Sequence, residues 1–168
     1  MQLADQIPLI QMSTDSNTLR RILRRPCAIA VVGLSVQWQR PSYFVAKYMQ
    51  EHGFRIVPVN PRYAASNGQI LGEVCYADLS DIPFAIEIVD VFRKSGDMLP
   101  IAQQAIKIGA HCLWQQIGVE NLEADQLARA AGLDSVMNRC VKIEHAQLFG
   151  GLNWVGVDTQ EISAKRPV

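Results

Sequence analysis

The run Ala28-Ile29-Ala30-Val31-Val32-Gly33, followed by Leu34-Ser35-Val36-Gln37-Trp38-Gln39-Arg40-Pro41-Ser42, decides how the chain folds. An unbroken apolar run closed by glycine is what a strand buried on both faces requires. A polar loop follows, and Pro41 opens a helix reaching about His52, with Tyr43, Phe44, Ala46, Lys47, Tyr48 and Met49 along it. Proline suits a first helical turn, where its missing N–H has no intrahelical partner in any case. Gly53 then ends the helix.

The same alternation extends in both directions. Upstream, Thr14 to Arg25 reads as a helix with Leu19, Ile22 and Leu23 on one face, Thr14 or Ser16 as its cap and Pro26 as its stop. Downstream, Phe54 to Val59 is a second strand closed by Asn60-Pro61, and Arg62 to Pro83 is a long turn-rich stretch. Ala85 to Val91 is a third strand. A helix capped by Ser95 or Asp97 ends near Gly109, and His111 to Trp114 is a fourth strand. Asn121 to Ala131 is helical, Leu133 to Met137 is a fifth strand, and Val141 to Gln147 starts a last helix. Strands alternating with helices over short links imply parallel pairing and right-handed crossovers. The expected architecture is α/β: one Rossmann-like, doubly wound parallel sheet of about five strands over residues 14–149. An N-terminal arm (1–13) and a C-terminal tail (150–168) flank it.

The chain has 168 residues, 49% hydrophobic and 19% charged, which suits one globular domain with a real core. Sixteen basic residues balance sixteen acidic ones. Nonspecific binding to nucleic acid or to an anionic membrane needs a basic field, so neither is expected. No run approaches the roughly 20 apolar residues that cross a bilayer. Met1 to Gln11 carries Asp5 and Pro8 and no basic leading segment, unlike a secretory signal, so a cytoplasmic protein is expected. Cys27, Cys75, Cys112 and Cys140 are far apart without metal-ligand spacing. No metal is expected, and the cysteines read as buried apolar residues. Cys140 has a second reading, because it falls just past the fifth strand.

In doubly wound sheets, ligands sit outside the carboxyl ends of the strands, at the point where strand order reverses. The loop after the first strand carries one glycine, so it matches neither dinucleotide fingerprint nor P-loop. It does lead into a helix N-terminus, whose free N–H groups and dipole attract anions. Arg40 adds charge there, and Ser35 and Ser42 add hydroxyls. On the loop alone, a phosphate site and a solvated arginine both stand. After the second strand, where an NAD site would carry Asp or Glu, the chain has Asn60, Pro61 and Arg62. An arginine there favours a phosphorylated ribose, as in coenzyme A or NADP. Asp90 within Asp90-Val91-Phe92-Arg93 reads as structural. Phe92 reads either as core or as a ligand wall, and Arg93 as a further phosphate candidate. Arg40, Arg62 and Arg93 follow three successive strands and converge if the fold is as read.

The stretches Val-Val-Gly33-Leu-Ser35, Arg40-Pro-Ser-Tyr43, Pro-Val-Asn-Pro61, Val-Asp-Val-Phe-Arg93, Trp-Gln-Gln-Ile-Gly118 and Met-Asn-Arg-Cys140 carry a resemblance. In this order, they resemble the small stand-alone CoA-binding domain proteins, themselves similar to the CoA-binding half of the succinyl-CoA synthetase alpha subunit. The resemblance spans about residues 15–150 and implies a Rossmann-like fold holding coenzyme A. It implies that Gly33, Ser35, Arg40, Pro41 and Ser42 form the first phosphate contact. Asn60, Pro61 and Arg62 would flank the adenosine phosphates, and Val91, Phe92 and Arg93 would line the next wall, with Gln116 and Gly118 beyond. Two positions depart from the family: Gln37-Trp38-Gln39 replaces the usual Asn-Pro-Asp, and Asn138 stands where Asp is common.

The synthetase resembled works through a phosphorylated histidine on a second domain; the resemblance ends about where that domain would begin, so its reaction is not expected here. Of the histidines, only His145 reads as a residue that could face the ligand side. The expected function is binding of coenzyme A or an acyl-CoA without catalysis. An NADP-dependent oxidoreductase and a regulatory protein that has lost the ligand are the alternatives. A homo-oligomer or an acyl-CoA enzyme partner stays open.

Overall fold

A computed structural model describes residues 14–150. The expected arm over 1–13 and the tail beyond Gly150 lie outside the described residues. Five parallel strands form the sheet: β1 (Ala28–Val32), β2 (Arg55–Val59), β5 (Ile88–Val91), β6 (Cys112–Gln115) and β7 (Asp134–Val136). Their spatial order is β2-β1-β5-β6-β7. The helices are α1 (Ser16–Leu23), α2 (Pro41–Glu51), α3 (Pro61–Ala64), α4 (Met98–Lys107), α5 (Leu122–Ala130) and α6 (Val141–Phe149). The expected doubly wound Rossmann-like fold is therefore the observed one.

Alternation along the strands sorts the core into two layers. Ile29, Val31, Ile56, Ile88, Trp114 and Val136 face one side and pack with Leu19 and Leu23 of α1, Val45 and Met49 of α2, and Val141 of α6. Ala30, Val32, Val57, Val89, Val91 and Leu113 face the other side, against Met98, Ala102 and Ala105 of α4 and Ala124 and Ala128 of α5. Both faces are covered, which is why the strands read as continuous apolar runs. Pro58 sits inside β2, at the sheet edge, where the N–H it lacks is least needed.

Element ends differ from the sequence reading where side chains decide them. Asp15, rather than Thr14 or Ser16, caps α1: its carboxylate accepts the Thr18 N–H at 2.8 Å, while the Thr14 hydroxyl donates to the Ser135 carbonyl. Asp97 occupies the N-cap position of α4 without a side-chain bond, and the Ser95 hydroxyl accepts the Glu120 N–H. The turn-rich stretch holds α3, a two-stranded hairpin of β3 (Gln69–Ile70) and β4 (Glu73–Val74), and a 3₁₀ turn over Leu79–Asp81. Among the described residues, no helix is long and apolar enough to cross a membrane, and no group of three His, Cys, Asp or Glu side chains is placed to hold a metal ion.

Candidate functional site

The chain runs from β1 outward to β2, then crosses back over β1 to begin β5, so strand order reverses between β1 and β5. A crevice opens at such a point because the two following loops leave the sheet in opposite directions. Here it is a cleft of about 530 Å³, lined from the loops after β1, β2 and β5.

Gly33 makes the turn out of β1. Its φ of +87° lies in the left-handed region, and a Cβ there would stand 3.3 Å from the Phe92 carbonyl oxygen and 3.4 Å from Arg93 Cδ. Glycine is thus required twice, by backbone conformation and by close approach of the β5 loop. Its N–H donates to the Val59 carbonyl at 2.9 Å, fastening the loop to the end of β2. Leu34 is fully buried and anchors the next position in the core.

The polar residues of this loop hold one another. Ser42 Oγ accepts the Ser35 N–H at 3.1 Å, and Ser35 Oγ accepts the Gln37 N–H at 3.1 Å. The Arg40 N–H donates to the Gln37 carbonyl, and Arg40 Nε donates to Gln37 Oε1 at 3.2 Å. Ser42 is buried, so its first task is to shape the loop. Arg40 occupies the N-cap position of α2, Pro41 follows at the first helical position, and no side chain caps the helix. The positive end of an eleven-residue helix therefore faces the cleft.

Asn60 ties the second loop to the first. Its Nδ2 donates to the Leu34 carbonyl at 3.1 Å, while its Oδ1 accepts the Arg62 N–H and caps α3. Both ends of the amide are engaged, so Asn60 positions its neighbours. The single turn of α3 presents Arg62 and Tyr63 to the cleft, with the Arg62 guanidinium 5.9 Å from the Tyr63 ring centre. From β5, Phe92 and Arg93 complete the wall. Phe92 also packs against the core, so both readings of it hold.

The cleft thus gathers Gly33, Ser35, Arg40, Pro41, Ser42, Asn60, Pro61, Arg62, Phe92 and Arg93. Val91, Gln116 and Gly118 do not line it. Val91 points into the opposite core layer and is fully buried. Gln116 is buried beneath the loop and donates to Asp90 Oδ1 at 2.6 Å. The Gly118 N–H is held by Asn138 Oδ1 at 2.8 Å. Two lining residues escaped the sequence reading, Gln37 and Tyr63. Tyr63 directly follows Arg62, but only a helix turn at that point would have aimed it inward.

Charge in the cleft has one sign. Among the described residues, no carboxylate lines it, and none pairs with Arg40, Arg62 or Arg93. Asp90, within β5, is fully buried. Burial pushes its carboxyl up to about 7, against the opposing pull of the Gln116 amide and the Val91 N–H. His145 lies elsewhere: it is buried between α6 and α2, with Nδ1 3.1 Å from the Tyr48 hydroxyl and its ring against Phe54 and Phe149. Burial, reinforced by nearby His52, holds it below the usual imidazole range. Cys140 is buried too, and burial pushes its thiol up, away from the reactive thiolate.

The sequence and fold have relatives among known proteins. The profile of the CoA binding domain family matches residues 27–146. The chain is 38% identical over 128 residues to the uncharacterized protein YneT of Bacillus subtilis (strain 168), covering 76% of this chain and 92% of that protein. A hypothetical protein from Pyrococcus horikoshii OT3 superposes with a TM-score of 0.77 at 42% identity, over 82% of this chain and 94% of the other. The structure of cell-free ID.343 from Thermus thermophilus matches with a TM-score of 0.76 at 31% identity, over 81% and 100%.

Proposed function

Because the chain belongs to the CoA-binding domain family, we propose that its cleft holds coenzyme A, free or acylated, and that residues 14–149 do so without transforming it. One observation carries this reading: three arginines from three loops converge on a cleft at the strand-order reversal, with no carboxylate in its lining among the described residues. Coenzyme A brings a diphosphate and a ribose 3′-phosphate, and a polyanion is what such a lining recognises. The start of α2 with Arg40 suits the diphosphate. Arg62 and Arg93 suit the remaining phosphate, each as a charge-assisted contact worth about 1.5–3 kcal/mol.

Binding without catalysis is supported by what the lining offers. Its side chains supply hydroxyl, amide, phenol and guanidinium groups, and a guanidinium does not release its proton at ordinary pH. The groups best suited to acid–base or nucleophilic work, His145 and Cys140, lie outside the lining.

Thermal unfolding with coenzyme A, dephospho-CoA, NADP and NAD titrated in parallel tests the reading, since a ligand of the folded state stabilises it as RT ln(1 + [L]/Kd). Coenzyme A is expected to raise Tm most and dephospho-CoA less. A rise with NADP alone would replace this reading with an oxidoreductase. No rise with any of the four would remove the nucleotide site altogether.

A further inference from the structure

Trp38 is 69% exposed, the most exposed of the large hydrophobic side chains among the described residues. It sits at the tip of the turn from Gln37 to Arg40, and both of those residues line the cleft. The turn is fastened by the Arg40 N–H on the Gln37 carbonyl and by Arg40 Nε on Gln37 Oε1, and its base by Ser35 and Ser42. An indole is therefore held at the rim of an arginine-lined cleft, with no partner for its ring among the described residues.

We propose that Trp38 is the platform on which the adenine base of the bound nucleotide stacks, an inference that rests on the coenzyme A reading of the cleft. A ligand whose phosphates lie against Arg40 and the start of α2 places its base within the span of one nucleotide from them. A flat apolar heterocycle gains by covering a flat indole, whereas the flexible pantetheine chain offers no such face. Tyr63, the aromatic side chain on the second loop, already packs against the core and carries the Arg62 guanidinium beside it. Trp38 is free to be covered. Since the turn is fixed beforehand, the stack costs little reorganisation.

The test compares full-length protein with Trp38→Ala and Trp38→Phe, in a Trp154→Phe background that leaves Trp38 and the fully buried Trp114 as the indoles. The probes are coenzyme A, adenosine 3′,5′-bisphosphate and pantetheine 4′-phosphate, and the readouts are affinity and tryptophan emission. Trp38→Ala is expected to weaken coenzyme A and the bisphosphate by about tenfold each and to leave pantetheine 4′-phosphate unchanged. Trp38→Phe should restore most of the loss. Both base-containing ligands should quench the Trp38 emission. Undiminished coenzyme A affinity in Trp38→Ala, without quenching in the parent, overturns the stacking role and leaves the coenzyme A reading intact. Quenching by pantetheine 4′-phosphate but not by the bisphosphate overturns the assignment to the base. A parent protein that binds none of the three overturns both readings together.

Discussion

Arginines gather at both ends of the same sheet, with different company. At the amino ends of the strands, a hollow of about 200 Å³ is lined by Arg21, Arg24 and Arg25 together with Glu87 and Asp134. Arg21 pairs with Asp134 through two hydrogen bonds of 2.7 and 2.8 Å, and Glu87 accepts the Ala28 N–H that begins β1. At the carboxyl ends, the larger cleft holds Arg40, Arg62 and Arg93 without a carboxylate. Further along that end, Arg139 is paired with Glu144 at 3.1 Å. The arginine beside an acid at the amino ends, Arg21, is ion-paired within the fold. Arginines without acids, at a strand-order reversal and a helix start, are the ones we propose to meet a negative ligand.

The largest effect expected from this contrast is on binding. Replacing Arg40, Arg62 and Arg93 together with alanine should weaken coenzyme A by more than about a thousandfold, at about 1.5–3 kcal/mol per charge-assisted contact. Arg24→Ala with Arg25→Ala at the opposite end should change that affinity by less than about twofold. Titration calorimetry on the two variants checks both halves, and equal losses would erase the distinction between the ends.

Asp90 sharpens the contrast, because an acid beneath the cleft would weaken its field if it were charged. Burial raises its folded-state pKa to about 7, above the ordinary carboxylate value. The folded protein therefore binds a proton that the unfolded chain has lost, and stability falls as pH rises from about 4 to about 7. Above that range the loss is complete. Asp90→Asn keeps an acceptor for the Gln116 amide and should remove this dependence. Urea unfolding at pH 5 and pH 8 should show wild type losing roughly 2–4 kcal/mol relative to the variant between the two. Parallel curves for the two proteins would mean that Asp90 is charged in the fold.

Smaller effects separate loop shape from loop charge. Gly33→Ala meets both the positive φ and the Phe92 carbonyl. A cost of about 1–3 kcal/mol in chemical denaturation is expected, together with weaker coenzyme A binding. Smallest is Arg21→Ala, which breaks an exposed pair and should cost about 0.2–1 kcal/mol while leaving affinity unchanged. A drop in affinity there would mean that the two ends are coupled through the sheet.

How much of this was legible in the sequence follows from which interactions are local. The five strands could be read because burial on both faces leaves continuous apolar runs, and glycine and proline punctuate them. The convergence of Arg40, Arg62 and Arg93 could be read because the fold alone brings successive strand ends together. The four residues of α3 could not, since Asn60 sets that turn by capping it and one turn is too short to show a period. Tyr63 escaped for the same reason. Gln116 stands in a motif after β6, yet its partner is Asp90, 26 positions earlier, and no local pattern announces that pair. The cap of α1 was misplaced because Thr14, Asp15 and Ser16 are all good N-caps, and the choice depended on Thr14 reaching Ser135 across the fold.

The most direct test is the affinity of coenzyme A and of dephospho-CoA for wild type and for Arg62→Ala, measured as a four-way cycle. The account predicts that wild type binds coenzyme A about a hundredfold or more tightly than dephospho-CoA, and that Arg62→Ala cuts this preference by about tenfold or more by weakening coenzyme A alone, Arg93 keeping the remainder. Equal affinities of wild type for the two ligands, or an Arg62→Ala loss shared equally between them, would contradict it.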